Sequence, residues 1–491
     1  MPEETPLERE RRGKVARWRA DGREPYPWEF PGRVDTAVVR AACAGLAPGA
    51  DDPARSFRVG GRLRIVRQHG RTAFADLEDL AGPLQLILRV DELGESAYRS
   101  WLADLDPGDI LGADGSPALS RRGEPSLLVR SLTLLAKAIT PPPEKFHGLQ
   151  DVEERLRRRY VDLLSSEAVR RRFRVRSLLL RAIREHFDAA GFLEVETPVL
   201  ERVASGAAAQ PFVTRSNYLD AEVQLRIAEE LPLKRLLVGG LERVYEIGKV
   251  FRNEDLDSIH APEFTELEAY WAYADYHDMR RFLEGLYERL AARTVELLPD
   301  DPEVARAAGR FRPPFATLDF VESLEARSGI PDILGKSREE LRALARAAGS
   351  TVPDGSSTGT FLDKLFEHYV EPSIDRVTFV VDFPTATTPL AKRHRAKPGR
   401  VERFEVFAPG MELANAYTEL TDPDEQEERF RSQLGERGDD RYAYDADFVE
   451  ALRYGLPPTT GIGFGIDRLV MALLGLSSIK DAILFPPVRE R

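Results

Sequence analysis

The sequence predicts an α+β fold in two parts: a small β-barrel, then a larger region of mixed strands and helices. Three observations carry this. Short alternating segments punctuated by glycine run from residue 57 to residue 129. Pro141-Pro142-Pro143 then stiffens and breaks the chain. Beyond it a long helical pattern leads into strands and helices without regular βαβ alternation, which argues against a doubly wound sheet. A chain of 491 residues is also too long for one ordinary domain.

Residues 7–22 are charged, Arg-rich and sparse in apolar positions, which predicts an exposed helix ending at Gly22. Pro25, Pro27 and Pro31 keep that helix from continuing. Gly45, Pro48, Gly49 and Pro53 mark a loop over residues 45–55. From Phe57 the period turns to two, in Arg62-Leu63-Arg64-Ile65, in Leu84-Gln85-Leu86 and again near Leu127-Leu128-Val129. Strands this short and this closely spaced suggest an OB-fold barrel. Residues 168–190 place Phe173, Val175, Leu178, Leu179, Ile183 and Phe187 at helical spacing. The polar positions of that helix are mostly arginine, which reads as a solvated face or as an RNA or subunit contact.

Composition excludes several classes. The formal net charge is −12, which argues against coating nucleic acid by bulk charge and leaves room for a local basic patch. Cys43 is the single cysteine, so no internal disulfide and no multi-Cys metal site can form. No apolar run is long enough to span a membrane, and the N-terminus carries no basic-then-apolar signal. A cytoplasmic enzyme is the expectation.

No Gly-x-x-x-x-Gly-Lys-Ser/Thr loop is present, and Gly461, Gly463 and Gly465 do not complete Gly-x-Gly-x-x-Gly. A nucleotide enzyme built from this chain must hold phosphate with arginines and metal. Three stretches fit that demand. Gly191-Phe192-Leu193-Glu194-Val195-Glu196-Thr197-Pro198 reads as a helix end entering a strand that closes at proline. Val244 to Phe251 reads as an apolar strand ending in Phe251-Arg252-Asn253-Glu254. The strand after His260-Ala261-Pro262 carries Glu266, Glu268 and Tyr270 at alternate positions, hence on one face. Such a face is costly to bury unless it meets a cation. Thr460-Gly461-Ile462-Gly463-Phe464-Gly465-Ile466-Asp467-Arg468 is a glycine-rich strand against which a flat ligand can lie, with a helix starting just beyond it.

In order, these resemble motifs 1, 2 and 3 of the class II aminoacyl-tRNA synthetases. Lys145-Phe146-His147-Gly148-Leu149-Gln150-Asp151, Leu233-Lys234-Arg235-Leu236, Phe404-Glu405-Val406-Phe407 and Asn415-Ala416-Tyr417-Thr418-Glu419-Leu420 resemble the lysyl-specific members. The resemblance runs from about Arg58 to Pro487. It implies a helical extension over 1–55, an OB-fold anticodon-binding domain over 56–140, a linker over 141–160 and a catalytic domain with an antiparallel sheet over 161–491. It also implies a homodimer formed through motif 1, with Pro198 at the interface.

The activity implied is formation of lysyl-adenylate from ATP and L-lysine, then transfer to tRNA(Lys). Arg252 and Arg468 match the motif 2 and motif 3 arginines; Glu254, His260 and Phe264 match positions around ATP, with Phe264 stacking on adenine. Glu405 and Glu412 match the Mg²⁺-binding acids, and Glu405 falls in the ATP site as well. Gly206 and Glu230 match contacts to the α-amino group; Glu268, Tyr270 and Glu419 match contacts to the ε-ammonium, with Asn415 and Tyr417 completing the pocket. In the barrel, Phe74 and Gln85 match the anticodon-stacking position and its partner, with Arg67 and Glu124 at further contacts.

The sequence departs from the family pattern at Val66, Gln210, Gln224, Pro232, Ala261 and Ala414. Two alternatives therefore stay open. One is a diverged paralogue that activates a lysine-like amino acid or uses another acceptor. The other is a non-catalytic RNA-binding or regulatory paralogue.

Overall fold

The computed structural model describes residues 4–143, 149–203, 205–207, 209–437 and 445–488. Of the segment beginning at Lys145, residues 145–148 lie outside the described residues. The chain folds as two compact units, Met1–Arg155 with Tyr160–Ser165, and Leu156–Arg159 with Ser166–Arg491. No helix among the described residues is long and apolar enough to cross a membrane.

The first unit is built on a closed five-stranded barrel: β1 (Phe57–His69), β2 (Thr72–Asp79), β3 (Gly82–Arg89), β4 (Ile110–Leu119) and β5 (Pro125–Ala136), in spatial order β1-β2-β3-β5-β4. Alternation explains the filling. Ala73, Ala75 and Leu77 of β2 and Leu84, Leu86 and Leu88 of β3 point inward and are buried. The helix Pro6–Ala20 begins at a capping box, in which Thr5 and Glu8 satisfy each other's backbone donors.

The expectation of an exposed first helix is corrected here: Arg11, Lys14, Val15 and Trp18 are buried. Arg11 donates to the carbonyls of Pro107 and Ala138, and Lys14 Nζ lies 2.9 Å from Asp106 Oδ1. Sparse apolar residues concealed a buried face because two long cations are satisfied there by acceptors distant in sequence. Cys43 is buried in the barrel's own core with Val39.

The second unit carries the long helix Glu167–Ala189, capped by Ser166. Two of its arginines form inward ion pairs, Arg172 with Asp481 at 2.8 Å and Arg176 with Asp467 at 2.7 Å, while Arg171, Arg174 and Arg181 are exposed. An eight-stranded sheet follows. Its members are β6 (Leu193–Glu194), β10 (Arg243–Phe251), β11 (Glu263–Ala272), β12 (Ala316–Asp319), β13 (Thr378–Val381), β14 (Arg403–Ala408), β15 (Met411–Thr418) and β16 (Thr459–Gly465). A separate small sheet holds β7 (Leu200–Glu201), β8 (Val213–Ser216) and β9 (Ala221–Leu225).

The large sheet runs β12-β13-β14-β15-β16-β11-β10-β6. Its middle six strands are antiparallel, and the outermost pair at each edge is parallel. The apolar core on one side gathers Phe187, Tyr287, Leu286, Phe404 and Leu469 among others. A second core gathers Leu233, Leu237, Phe320, Phe366 and Phe448.

Candidate active site

Register builds the site. On β11, β16 and β15, Glu268 lies opposite Gly463, which lies opposite Asn415; Tyr270 lies opposite Gly461, which lies opposite Tyr417. The glycine strand is thus a bare floor between two functional strands. A methyl group at Gly461 would collide with Glu419 and the Tyr270 ring. Over this floor opens a cavity of about 440 Å³ lined by residues from 205 to 479.

The cavity brings together Gly206, Glu230, Arg252, Glu254, His260, Phe264, Glu268, Tyr270, Glu412, Asn415, Tyr417 and Arg468. Glu405 and Glu419 stand just outside its lining. Glu405 forms an ion pair with Arg403, which also donates to Asn415 Oδ1 at 3.0 Å. Glu419 is fully buried and forms an ion pair with Lys234.

One end of the cavity is cationic. Arg252 donates from Nε to the carbonyl of Ile227 at 3.2 Å, and its guanidinium lies 3.6 Å from Glu266 and 5.0 Å from the Phe264 ring centre. Arg468 donates to the carbonyls of Ile259 and Glu412, each at 3.1 Å. Asp467, buried beside it, accepts from Arg176 and from the backbone N–H of Thr265 and so ties the start of its helix to β11. His260 and Glu254 lie at the exposed rim; His260 Nδ1 is 2.7 Å from Asp257, and Glu254 accepts from the N–H of Gln210.

The other end is acidic. Glu268 accepts from the Tyr270 hydroxyl at 2.7 Å and from the N–H of Glu229 at 2.9 Å. Burial, with Glu266 and Glu230 nearby, still pushes its carboxyl up to about 8. Glu230 accepts from the Tyr417 hydroxyl at 2.5 Å and from Lys234 at 2.6 Å. Burial likewise drives the Glu419 carboxyl well above the carboxylate range, against the pull of Lys234.

Sequence reading missed Lys234, Arg226 and Arg403 as members or supports of the site. Arg226 is buried between Glu229 at 2.9 Å and Glu246 at 2.6 Å, under Gly248 of β10. For Lys234 a signal existed: a lysine four residues after Glu230, between leucines that face a core. For Arg226 and Arg403 none did: Glu229 and Glu405 lie close in sequence, but the other acceptors of each guanidinium, Glu246 for the first and Asn415 and Thr387 for the second, come from distant segments.

In the barrel, Arg67 pairs across β1–β2 with Phe74, and Phe74 across β2–β3 with Ile87. Phe74 is half-buried on a small apolar patch of Ile87, Ala118 and Leu128, outside the main barrel core. Gln85 lies two residues from Ile87 and accepts from the Ser126 hydroxyl at 3.0 Å. Glu124 sits at the entry to β5, where its carbonyl accepts from that same hydroxyl. All four thus fall on or beside one outer face of the barrel.

The first unit thus holds a closed OB-like barrel, and the second a sheet whose glycine strand and two arginines line a cavity without a Gly-x-x-x-x-Gly-Lys-Ser/Thr loop. Residues 151–489 match the family model of class II tRNA synthetases (D, K and N), and residues 57–135 match that of the OB-fold nucleic acid binding domain. The chain is 44% identical to the lysine--tRNA ligase of Roseiflexus castenholzii, over 99% of each protein. It is 43% identical to that of Moorella thermoacetica, over 96% of this chain and 95% of the relative. It is 43% identical to that of Staphylococcus aureus, over 88% of each. The chain belongs to the class II tRNA synthetases and, within them, to the lysine--tRNA ligase family.

Proposed function

We propose that the protein activates L-lysine with ATP and transfers it to tRNA(Lys), and that the cavity residues divide this work by charge. The observation that carries the division is one cavity lined both by Arg252 and Arg468, which lie beside Glu266 and Glu412, and by the buried Glu230 and Glu268. Lysine presents one carboxylate and two ammonium groups, so it has one orientation that matches both ends. Its carboxylate is ionised at neutral pH, and no general base is needed. A carboxylate oxygen attacks the α-phosphorus, the bond to the pyrophosphate oxygen breaks, and pyrophosphate leaves with that electron pair. Catalysis is then alignment and charge neutralisation. Arg252 serves the α-phosphate and the substrate carboxylate, and Arg468 serves the outer phosphates and the adenine opposite Phe264. His260 and Glu254 close the rim over the nucleotide.

Glu230 and Gly206 receive the α-ammonium. Glu268, Tyr270 and Glu419 receive the ε-ammonium, with Asn415 and Tyr417 beside it. Mg²⁺ fits the acids beyond Arg403. Glu405 is pushed up to about 8 by burial, Glu412, Asp363 and Glu371, a concentration of negative charge that a hard cation relieves. No set of three or more His, Cys, Asp or Glu among the described residues could hold a metal alone. Two carboxylates completed by substrate phosphate oxygens suit this ion. When bound, it neutralises phosphate charge.

The barrel face of Arg67, Phe74, Gln85 and Glu124 binds the anticodon. Phe74→Ala is expected to raise the KM for tRNA by ~1–3 kcal/mol worth of lost base stacking. Pyrophosphate exchange without tRNA should be unchanged; equal loss in both assays would assign Phe74 to folding instead. A homodimer through the motif 1 region is part of the proposal, supported by the exposed Leu193, Leu200 and Val213 there.

The test of the whole reading is amino-acid-dependent ATP–pyrophosphate exchange with lysine, ornithine, β-lysine and aspartate, followed by acylation of tRNA. Exchange with lysine alone supports it; exchange with another amino acid, or with none, replaces it.

The pH dependence follows from Glu268. In the ligand-free pocket its carboxyl titrates at about 8, so near neutral pH it holds a proton that an incoming ammonium must displace. Lysine affinity should therefore rise with pH, by up to about tenfold per unit below 8. Calorimetry in buffers of different ionisation enthalpy should show proton release at pH 7. Proton uptake, or none, contradicts the assignment.

A further inference from the structure

We propose that Lys234 is a positioning residue of the amino-acid site: its buried ammonium pins and aims the carboxyl groups of Glu230 and Glu419, so that the pocket fits two further ammonium groups. This rests on the lysine reading above and deepens it.

Lys234 has no exposed surface. It sits on the helix Glu230–Val238, one turn from Glu230, at 2.6 Å, and forms an ion pair with Oε2 of Glu419. The rings of Tyr270, Tyr417 and Phe448 lie 5.8, 5.5 and 5.6 Å from its nitrogen. An ammonium in such a place is held by opposite charge and aromatic faces. The charged and titratable groups facing Glu419 are Lys234 and Glu230 from the helix, Glu268 and Tyr270 from β11, and Tyr417 from β15.

The balance of charge is informative. Glu230, Glu268 and Glu419 supply three carboxylates, and Lys234 supplies one ammonium. When an incoming diamino acid displaces the protons that burial holds on Glu268 and Glu419, the two negative charges that remain match its two ammonium groups, with its carboxylate facing Arg252. Both oxygens of Glu419 are buried without a hydrogen-bond partner; Oε2 meets the Lys234 ammonium as an ion pair, and Oε1 lies against bare Gly461 at the cavity floor. Lys234 therefore ties down one oxygen of this carboxylate and leaves the other for a ligand. Lys234 draws the Glu419 carboxyl down against burial and the neighbouring acids; without it that carboxyl rises further and is free to turn.

The test compares Lys234→Met with wild type in lysine-dependent ATP–pyrophosphate exchange from pH 6.5 to 9. The wild-type assay comes first: if it shows no lysine dependence, the lysine reading itself fails. Given that dependence, Lys234→Met should raise the lysine KM about thirtyfold at pH 7, with the KM for ATP within about threefold. The ratio to wild type should shrink as pH rises, because higher pH ionises Glu419 unaided. In the Glu419→Gln background the same change should cost about threefold or less, since its target is gone. Lys234→Gln, which keeps a donor without the charge, is measured in parallel should the methionine variant not fold. A pH-independent ratio, or penalties that multiply in the double variant, would show Lys234 to be only a packing element and overturn the proposal.

Discussion

Arg252→Ala lowers the kcat for lysine-dependent ATP–pyrophosphate exchange by about 100- to 1,000-fold, the scale for losing one preorganised donor to a developing negative charge. The structure gives the reason for the size. Arg252 follows β10 directly, and its Nε is committed to the carbonyl of Ile227. That bond fixes the plane of the guanidinium and leaves the outer nitrogens for ligands. In the ligand-free protein they face Glu266, which has a buried oxygen without a hydrogen-bond partner. A phosphate oxygen competes with a weak, 3.6 Å ion pair, so the arginine is preorganised at little cost. Arg252→Lys keeps the charge and loses the fork, and should recover only part of the rate. Exchange kinetics at saturating lysine and ATP measure both variants; a loss confined to KM would move Arg252 from catalysis to ground-state binding.

Glu419→Gln weakens lysine binding by ~2–5 kcal/mol, the range for truncating one member of a buried charged pair. Glutamine keeps the shape and loses the charge. Two cations then suffer together, the ε-ammonium of the substrate and Lys234, whose ion pair is fully buried. The lysine KM in the exchange assay should rise accordingly while the ATP KM holds. An unchanged lysine KM would remove Glu419 from the site and leave Glu268 as the acid facing the ε-ammonium. Because Glu419 lies outside the cavity lining, this variant also tests how ligand charge reaches a carboxylate behind Gly461.

Local signals made much of the site legible. Alternation put Glu266, Glu268 and Tyr270 on one strand face, and β11 presents them to the cavity together. Glycine spacing marked a bare strand, and β16 lies between β11 and β15 as that strand. Proline and alternation marked off the barrel. The first helix misled, because its buried Arg11 and Lys14 look like surface residues until carbonyls and Asp106 come round to meet them. Arg226 and Arg403 were invisible for the same reason. Each has one acid close in sequence, Glu229 and Glu405, but is completed by groups from other segments, Glu246 and Asn415, that no local spacing encodes.

The sequence by itself determined the two-part α+β plan, the faces of the strands and the residue types for phosphate and ammonium chemistry, since these depend on period and local composition. Only the tertiary structure decided which charges cancel inside the protein and which remain for a ligand. It set Lys234 against Glu230 and Glu419, Arg403 against Glu405, and left Arg252 with only a loose partner. The physical reason is that ion pairing is a matter of distance and burial: even where the partner is close in sequence, as for Lys234 with Glu230 and Arg403 with Glu405, burial is fixed by register and packing between segments far apart in the chain.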